Sequence, residues 1–264
     1  MQKEVKKSWA LFLGIGTMMI AHGLQMQIMG IRSVLEDFSV LTTGIFMSGY
    51  YVGYFVGSKT TPNLVQKVGH IRVFAAFASL ASLSALVAVA YVNPFMWTLS
   101  RFITGISLVS CYVVSESWLN DRATNKNRGQ LLSAYMIVLY LGLAVGMLLL
   151  NFSEPKAYEP FILVSVLLSL ALVPILLTKR PAPKFKRIGT INIRELYEIS
   201  PLGTVSSFAT GVIHAAFFSL ISVYATKAGF TLLETSILLF IATISGVIGH
   251  GPIGYFSDMY DRRK

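Results

Sequence analysis

The chain has 264 residues, of which 54% are hydrophobic and 13% charged; no soluble globular domain carries that balance, so the sequence belongs in a lipid bilayer. Its formal net charge of +10 does not point to nucleic acid, because the basic residues stand at the ends of apolar runs and form no single stripe with interleaved aromatics. Cys111 is the only cysteine, which excludes intrachain disulfides, zinc ribbons and redox pairs.

The basic stretch Met1–Lys7 precedes an apolar run that is long and lacks a small-residue cleavage site, so it is predicted to be a retained first helix. Runs long enough to cross about 30 Å of hydrocarbon fall at Trp9–Ile31, Leu41–Ser58, Val73–Val92, Phe95–Leu119, Leu131–Phe152, Phe161–Thr178, Leu202–Ala225 and Leu232–Phe256. Asn93-Pro94 and Ser200-Pro201 each put a capping side chain before a proline at the first helical position. Thr231 with Glu234, and more loosely Asn127 with Gln130, fit capping boxes.

Lysines and arginines then set orientation, since they are retained on the cytoplasmic side of short loops. They precede the first run, lie between the second and third (Lys59, Lys67, Arg72), between the fourth and fifth (Arg122, Lys126, Arg128) and between the sixth and seventh, and follow the eighth as Arg262 to Lys264. The alternate loops hold only Arg32, Lys156 and Lys227. Both termini are therefore expected in the cytoplasm. The longest polar interval, Lys179–Ser200, is strongly basic and ends in Asn192–Glu198, where Ile193, Leu196 and Tyr197 share one helical face. It reads either as a linker with a short helix at the membrane surface or as a solvated loop.

Polar groups inside the runs mark where chemistry could sit, because an ionisable side chain at bilayer depth costs about 2.5–3.5 kcal/mol on insertion scales. Arg101 lies about two turns inside the fourth run and shares a face with Gly105, Tyr112 and Glu116. It either faces the bundle interior or snorkels to the outer surface. In the first run His22, Gln25, Met29 and Arg32 share a face, and in the seventh Ser207, Thr210 and His214 do. A histidine can relay a proton near neutral pH or simply hydrogen-bond a neighbouring helix. Gly142 and Gly146 in the fifth run allow close backbone approach. The four histidines stand far apart, with no H-E-x-x-H, no C-x-x-C and no paired carboxylates, so neither enzyme nor cofactor or metal site is expected.

Sliding the chain on itself without gaps brings His22 onto His214, Phe38 onto Phe230, Ser39 onto Thr231, Thr43 onto Thr235, Gly57 onto Gly249 and Arg72 onto Lys264. The start of the second run, its end and the basic cluster coincide in one register, as expected of a duplicated six-helix bundle. The expected fold is thus an all-α polytopic membrane protein: a six-helix N-terminal bundle over 1–178, a basic cytoplasmic linker over 179–200, and over 201–264 the first two helices of a second, pseudo-symmetric bundle.

The last eleven residues, with Gly254, Asp258, Asp261 and Arg262 to Lys264, form G-x-x-x-D-x-x-[DG]-R-R-K, which resembles the loop signature of the major facilitator superfamily of transporters. A bare stop-transfer cluster would account for the basic residues but not for Asp258. The register puts Pro62 and Gln66 where the family's first copy has Gly and Asp, so the acidic position is supported in the second half only. Arg101-Phe-Ile-Thr-Gly105 is similar to the family's R-x-x-x-G element, and Ser115–Arg122 followed by Asn127–Gln130 resembles its YcaD-like branch. The fifth run lacks the proline of the family's antiporter element, so drug antiport is not indicated.

The resemblance implies a secondary transporter of a small organic solute in the cell membrane, working by alternating access and coupled to protons, with the solute and the lipid bilayer as partners and no nucleic acid. It also implies two six-helix bundles, so the sequence is expected to be truncated after its eighth helix and the isolated chain not to transport. His22, Gln25, Arg101, Tyr112 and His214 are the cavity candidates. Asp258 is expected to dock on the cytoplasmic start of the fifth helix and hold an inner gate, together with Arg72, Glu116, Arg128, Arg262 and Arg263. A non-transporting receptor or assembly factor, or a non-functional truncated transporter, is the alternative.

Overall fold

The computed structural model describes residues 8–124, 128–178 and 192–259, the side chains of Gln130 and of 249–259 excepted. Helices occupy Trp9–Leu35 (α1), Val40–Val68 (α2), His70–Ala90 (α3), Pro94–Arg122 (α4), Arg128–Leu149 (α5), Glu159–Leu170 with a continuation over Leu172–Leu176 (α6), Pro201–Lys227 (α7) and Leu232–Met259 (α8). A short helix, Ile193–Ile199, precedes α7. The described residues contain no strand, and six of the helices are long and apolar enough to cross a membrane. The helix α2 has 29 residues, but its Gly, Ser, Thr and Tyr content leaves it outside that set. In α8 the apolar stretch among residues with described side chains is Leu232–Ile248.

Helix α1 runs through the middle of the assembly and buries nearly every side chain from Met18 to Ser33. It packs on α5, α6 and α7, while α2 lies along α4, and α3 between α4 and α6. Small residues set these distances, because helices in lipid associate by close van der Waals packing and gain little from the hydrophobic effect. Gly49 lies against the Thr98 carbonyl, Gly53 against that of Phe102 and Gly57 against Ile106, while Gly105 lies against the Tyr50 carbonyl. That ladder advances in step on both helices, so α2 and α4 run parallel. Gly142 and Gly146 meet the Gly16 and Ile20 carbonyls in the same way, which makes α1 and α5 parallel too.

The second helix is longer than its apolar run, passing through Lys59 and Pro62 to end at Gly69. Pro62 cannot donate to the preceding turn, but the hydroxyls of Thr60 and Thr61 donate to the carbonyls of Val56 and Gly57. Lys59, exposed, lies over the Phe55 ring at 4.2 Å. Gly69 then stops the helix with φ +87. Asn93 caps the Met96 amide, Ser200 that of Gly203, and Thr231 and Glu234 exchange both bonds of a capping box. The linker segment Ile193–Ile199 is a helix with a capping box from Asn192 and Glu195, not a loop.

The internal repeat has a structural counterpart in the turns after α1 and α7. Glu36, Asp37 and Phe38 donate to the carbonyls of Arg32, Val34 and Ser33; Ala228, Gly229 and Phe230 donate to those of Tyr224, Thr226 and Ala225. Each donor and acceptor sits on its register mate. The mates Asp37 and Gly229 both have positive φ, 56 and 85, the left-handed cap that ends a helix by satisfying its last carbonyls. Helices α7 and α8 lie beside the first six, α7 against α1 and α2, and α8 against α5.

Candidate functional site

A cavity of about 760 Å³ separates α7 from the first bundle. Helix α1 contributes Met19, His22 and Met26; α2 contributes Tyr50, Tyr51 and Tyr54; α4 contributes Tyr112 and Glu116. The opposite wall is Ser206, Ser207, Thr210, Gly211, His214 and Phe218 of α7, and α5 closes the side with Met136, Leu139, Tyr140 and Leu143. The three polar residues singled out on α7, His214 among them, therefore line the cavity across from His22, the register mate of His214. Phenol, thioether and hydroxyl groups dominate. Such a surface grips an organic solute by ring contact and by a few hydrogen bonds.

The stripe on α1 divides between three environments. The His22 ring stacks on Tyr50 with centroids 5.4 Å apart and planes 19° from parallel, and its Nδ1 is buried without a hydrogen-bond partner. Gln25 points away from the cavity and donates from Nε2 to Thr104 Oγ1 at 3.4 Å. Arg32 serves the far end of α1, bonded to Glu36 at 3.2 Å and to the Ala157 carbonyl at 3.3 Å, with Phe161 beneath it.

Arg101 faces the bundle interior and does not snorkel. It is 1% exposed, its guanidinium carbon lies 4.7 Å from the centre of the Tyr50 ring, and Nε and Nη1 have no hydrogen-bond partner. Tyr50 thus belongs to the cavity wall and carries Arg101 behind it. Tyr112 donates its hydroxyl to the Met19 sulfur at 3.0 Å, and Glu116 is exposed at the cavity's other end. Of the cavity candidates, His22, Tyr112 and His214 line the space; Gln25 and Arg101 lie behind its wall.

The tyrosines of α2 were missed by sequence reasoning, although Tyr50 and Tyr54 stand one turn apart on the face that also carries the glycine ladder. Among the gate candidates, Arg72 is exposed near the start of α3, and Arg128 donates to Asn120 at 3.1 Å, tying the start of α5 to the end of α4. Asp258 falls in the last turn of α8; its side chain, like Arg262 and Arg263, lies outside the described residues.

The helices α7 and α8 meet the first bundle at one end of the cavity. There Gln27 Nε2 donates to Ser236 Oγ at 2.7 Å, a Cβ on Gly30 would lie 2.9 Å from Ser222 Cβ, and Ser219, Ser222 and Val223 are buried. Toward the other end, Leu202, Val205, Phe208, Val212 and Ile213 of α7 are exposed. The space between is closed at the α1–α2 and α7–α8 turns and open at the end holding Glu116 and Ser206.

An all-helical membrane protein with a solute-sized cavity between a six-helix group and a repeat of its first hairpin has the build of a transporter. The family model described as Major Facilitator Superfamily matches residues 11–264, and the chain belongs to that superfamily. A protein of Escherichia fergusonii named as an uncharacterized MFS-type transporter, YcaD, is 24% identical over 229 residues, covering 86% of this chain and 60% of the relative. Its Escherichia coli counterpart is 25% identical over 231 residues with the same coverage. The chain therefore spans 60% of the length of these curated relatives.

Among solved structures, that of the nucleoside transporter NupG matches with a TM-score of 0.70 at 14% identity, over 96% of this chain and 68% of the other. A D-xylose-proton symporter matches with a TM-score of 0.68, also at 14% identity, over 97% and 70%. Those two likenesses concern the fold.

Proposed function

We propose that the chain forms the solute path of a secondary transporter that moves a small organic compound across the cell membrane by alternating access, with proton coupling. The observation that carries this reading is the cavity of about 760 Å³, whose walls come from α1, α2, α4 and α5 on one side and α7 on the other. A path between two groups of helices can open at either end by rocking one group against the other. The division is 1–178 for the first bundle, 179–200 for the linker and 201–264 for the opening of the second.

The basic loops assign the open end to the cytoplasm, so the arrangement is inward-facing. Both ends of the sequence then lie on that side. His22 and His214, facing one cavity from the two halves, are the proposed proton relay, and one of the proteins of like fold is itself a proton symporter. Arg72, Glu116, Arg128, Asp258, Arg262 and Arg263 are the proposed inner gate, which in an inward-facing state is parted. An anion docking at the start of α5 would meet free amides and the positive helix end when the gate closes.

The test is thermal unfolding of the purified protein against a library of small organic solutes, repeated with Thr210→Leu, which fills the cavity from α7. Solutes that stabilise the wild type are expected to lose their effect in the variant. If no solute stabilises the wild type, or if both proteins melt alike with every hit, the cavity is not a solute site.

A further inference from the structure

Behind the Tyr50 wall of the cavity lies a buried guanidinium. Arg101 is 1% exposed and lies about two turns into α4. Among the described residues no carboxylate pairs with it. Its Nε and Nη1 hydrogens have no acceptor, and the face of Tyr50, 4.7 Å away, is set against its charge. An aromatic face gives a guanidinium about 2 kcal/mol or more when both are out of water, which falls short of the several kcal/mol that burial of an ion costs. An arginine presents its donors in a planar fork matched to the two oxygens of a carboxylate.

We propose that the solute carries a carboxylate, which enters the cavity first and reaches Arg101 once Tyr50 swings off the guanidinium. The inference rests on the reading of the cavity as a solute site and deepens it. Tyr50 is the side chain able to make the exchange, because its ring is shared between Arg101, the His22 ring and the cavity wall. The rest of the lining suits the remainder of such a molecule: Tyr51, Tyr54 and Tyr112 offer ring faces and phenols, and Met19 and Met26 offer thioethers. Glu116, the acid on the lining, stands about 22 Å along α4 from Arg101 at 1.5 Å per residue. The surroundings of the cavity are therefore polarised, with the cation behind Tyr50 and the carboxylate at the far end of the lining, so an anionic group gains most beside Tyr50.

The experiment compares benzoate, phenylacetate and 4-hydroxybenzoate with their neutral amides, reading the shift in unfolding temperature of the purified chain at fixed ionic strength, with sodium chloride as the inorganic control. The acids are expected to stabilise and the amides and chloride not to. In Arg101→Gln the preference for acid over amide is expected to fall roughly tenfold or more in apparent affinity, as befits loss of a charge-assisted pair; Arg101→Lys keeps the charge without the fork and is expected to retain part of it. Should Arg101→Gln not fold, the wild-type comparison and Arg101→Lys decide. Equal stabilisation by acids and amides, stabilisation by chloride alone, or no effect of any acid overturns the inference. If neutral solutes still stabilise in a manner blocked by Thr210→Leu, the transport reading survives that failure.

Discussion

At the scale of single residues, the polar groups that matter most are those whose loss strands a partner. Thr104 is such a hub: its hydroxyl donates to the Ser100 carbonyl, lies 2.9 Å from Ser84 Oγ and accepts from Gln25. An average interhelical hydrogen bond in a membrane protein is worth about 0.6 kcal/mol, but a buried donor left without an acceptor costs about 1–3 kcal/mol. Thr104→Val is therefore expected to destabilise by about 1–2 kcal/mol, and adding Gln25→Leu to restore part of that loss. Ser48, exposed and bonded only to the Gly44 carbonyl of its own helix, is the control, with Ser48→Ala expected to be neutral within about 0.5 kcal/mol. Thermal unfolding in detergent micelles checks the series; additive losses in the double variant would remove Thr104 from the role of hub. Arg101 follows the same logic from the opposite side, since its burial was foreshadowed by its position in an apolar run, whereas its seat on Tyr50 was not. A tyrosine in a transmembrane run has no periodic signature separating it from the rest of the core, so the link needed coordinates.

At the scale of elements, the eight apolar runs all lie in helices, as expected in a medium where backbone groups must pair within their own segment. The end of α2 was not legible, since Lys59, Thr60 and Pro62 look like a loop until the threonine hydroxyls are seen bonding back to the preceding turn. The pairing of α2 with α4 has a signature in the sequence: Gly49, Gly53 and Gly57 recur one turn apart and lie against Thr98, Phe102 and Ile106, while Gly105 lies against Tyr50. Those contacts decide which substitutions are severe. A methyl on Gly53 would run into the Phe102 carbonyl, which is rigid helix backbone, whereas one on Gly44 meets nothing within 4 Å. Gly53→Ala is expected to cost about 1–3 kcal/mol through forced separation of the helices. Gly44→Ala, free of any clash, is expected to be neutral or to stabilise by up to about 1 kcal/mol. Equal melting of the two variants would mean that the glycine ladder does not hold α2 to α4.

At the scale of the whole molecule, the repeat that gap-free alignment suggested is realised as two turns with matching hydrogen bonds. Helices α1 and α7, as register mates, approach each other beside Gly30 and Ser222, while their opposite ends are parted by the cavity. In the inward-facing reading, a thiol on Thr210→Cys is accessible to a membrane-impermeant reagent from the cytoplasmic side and not from outside. The native Cys111 is fully buried and gives no background.

Gly30→Leu then tests what keeps the outer end shut, because no side chain fits where a Cβ already falls 2.9 Å from Ser222 Cβ. Overpacking of that kind costs about 1–3 kcal/mol, enough to shift the balance between inward- and outward-open forms by roughly 5- to 150-fold, though short of the ~5.5 kcal/mol needed to invert a 99:1 population. Labelling of Thr210→Cys from inside-out vesicles is accordingly expected to slow at most a few-fold in the Gly30→Leu background, with labelling from right-side-out vesicles appearing beside it. A rate that stays the same on both sides would show that α1 and α7 do not form the outer gate, and labelling of Thr210→Cys from outside alone would reverse the assigned orientation of the cavity.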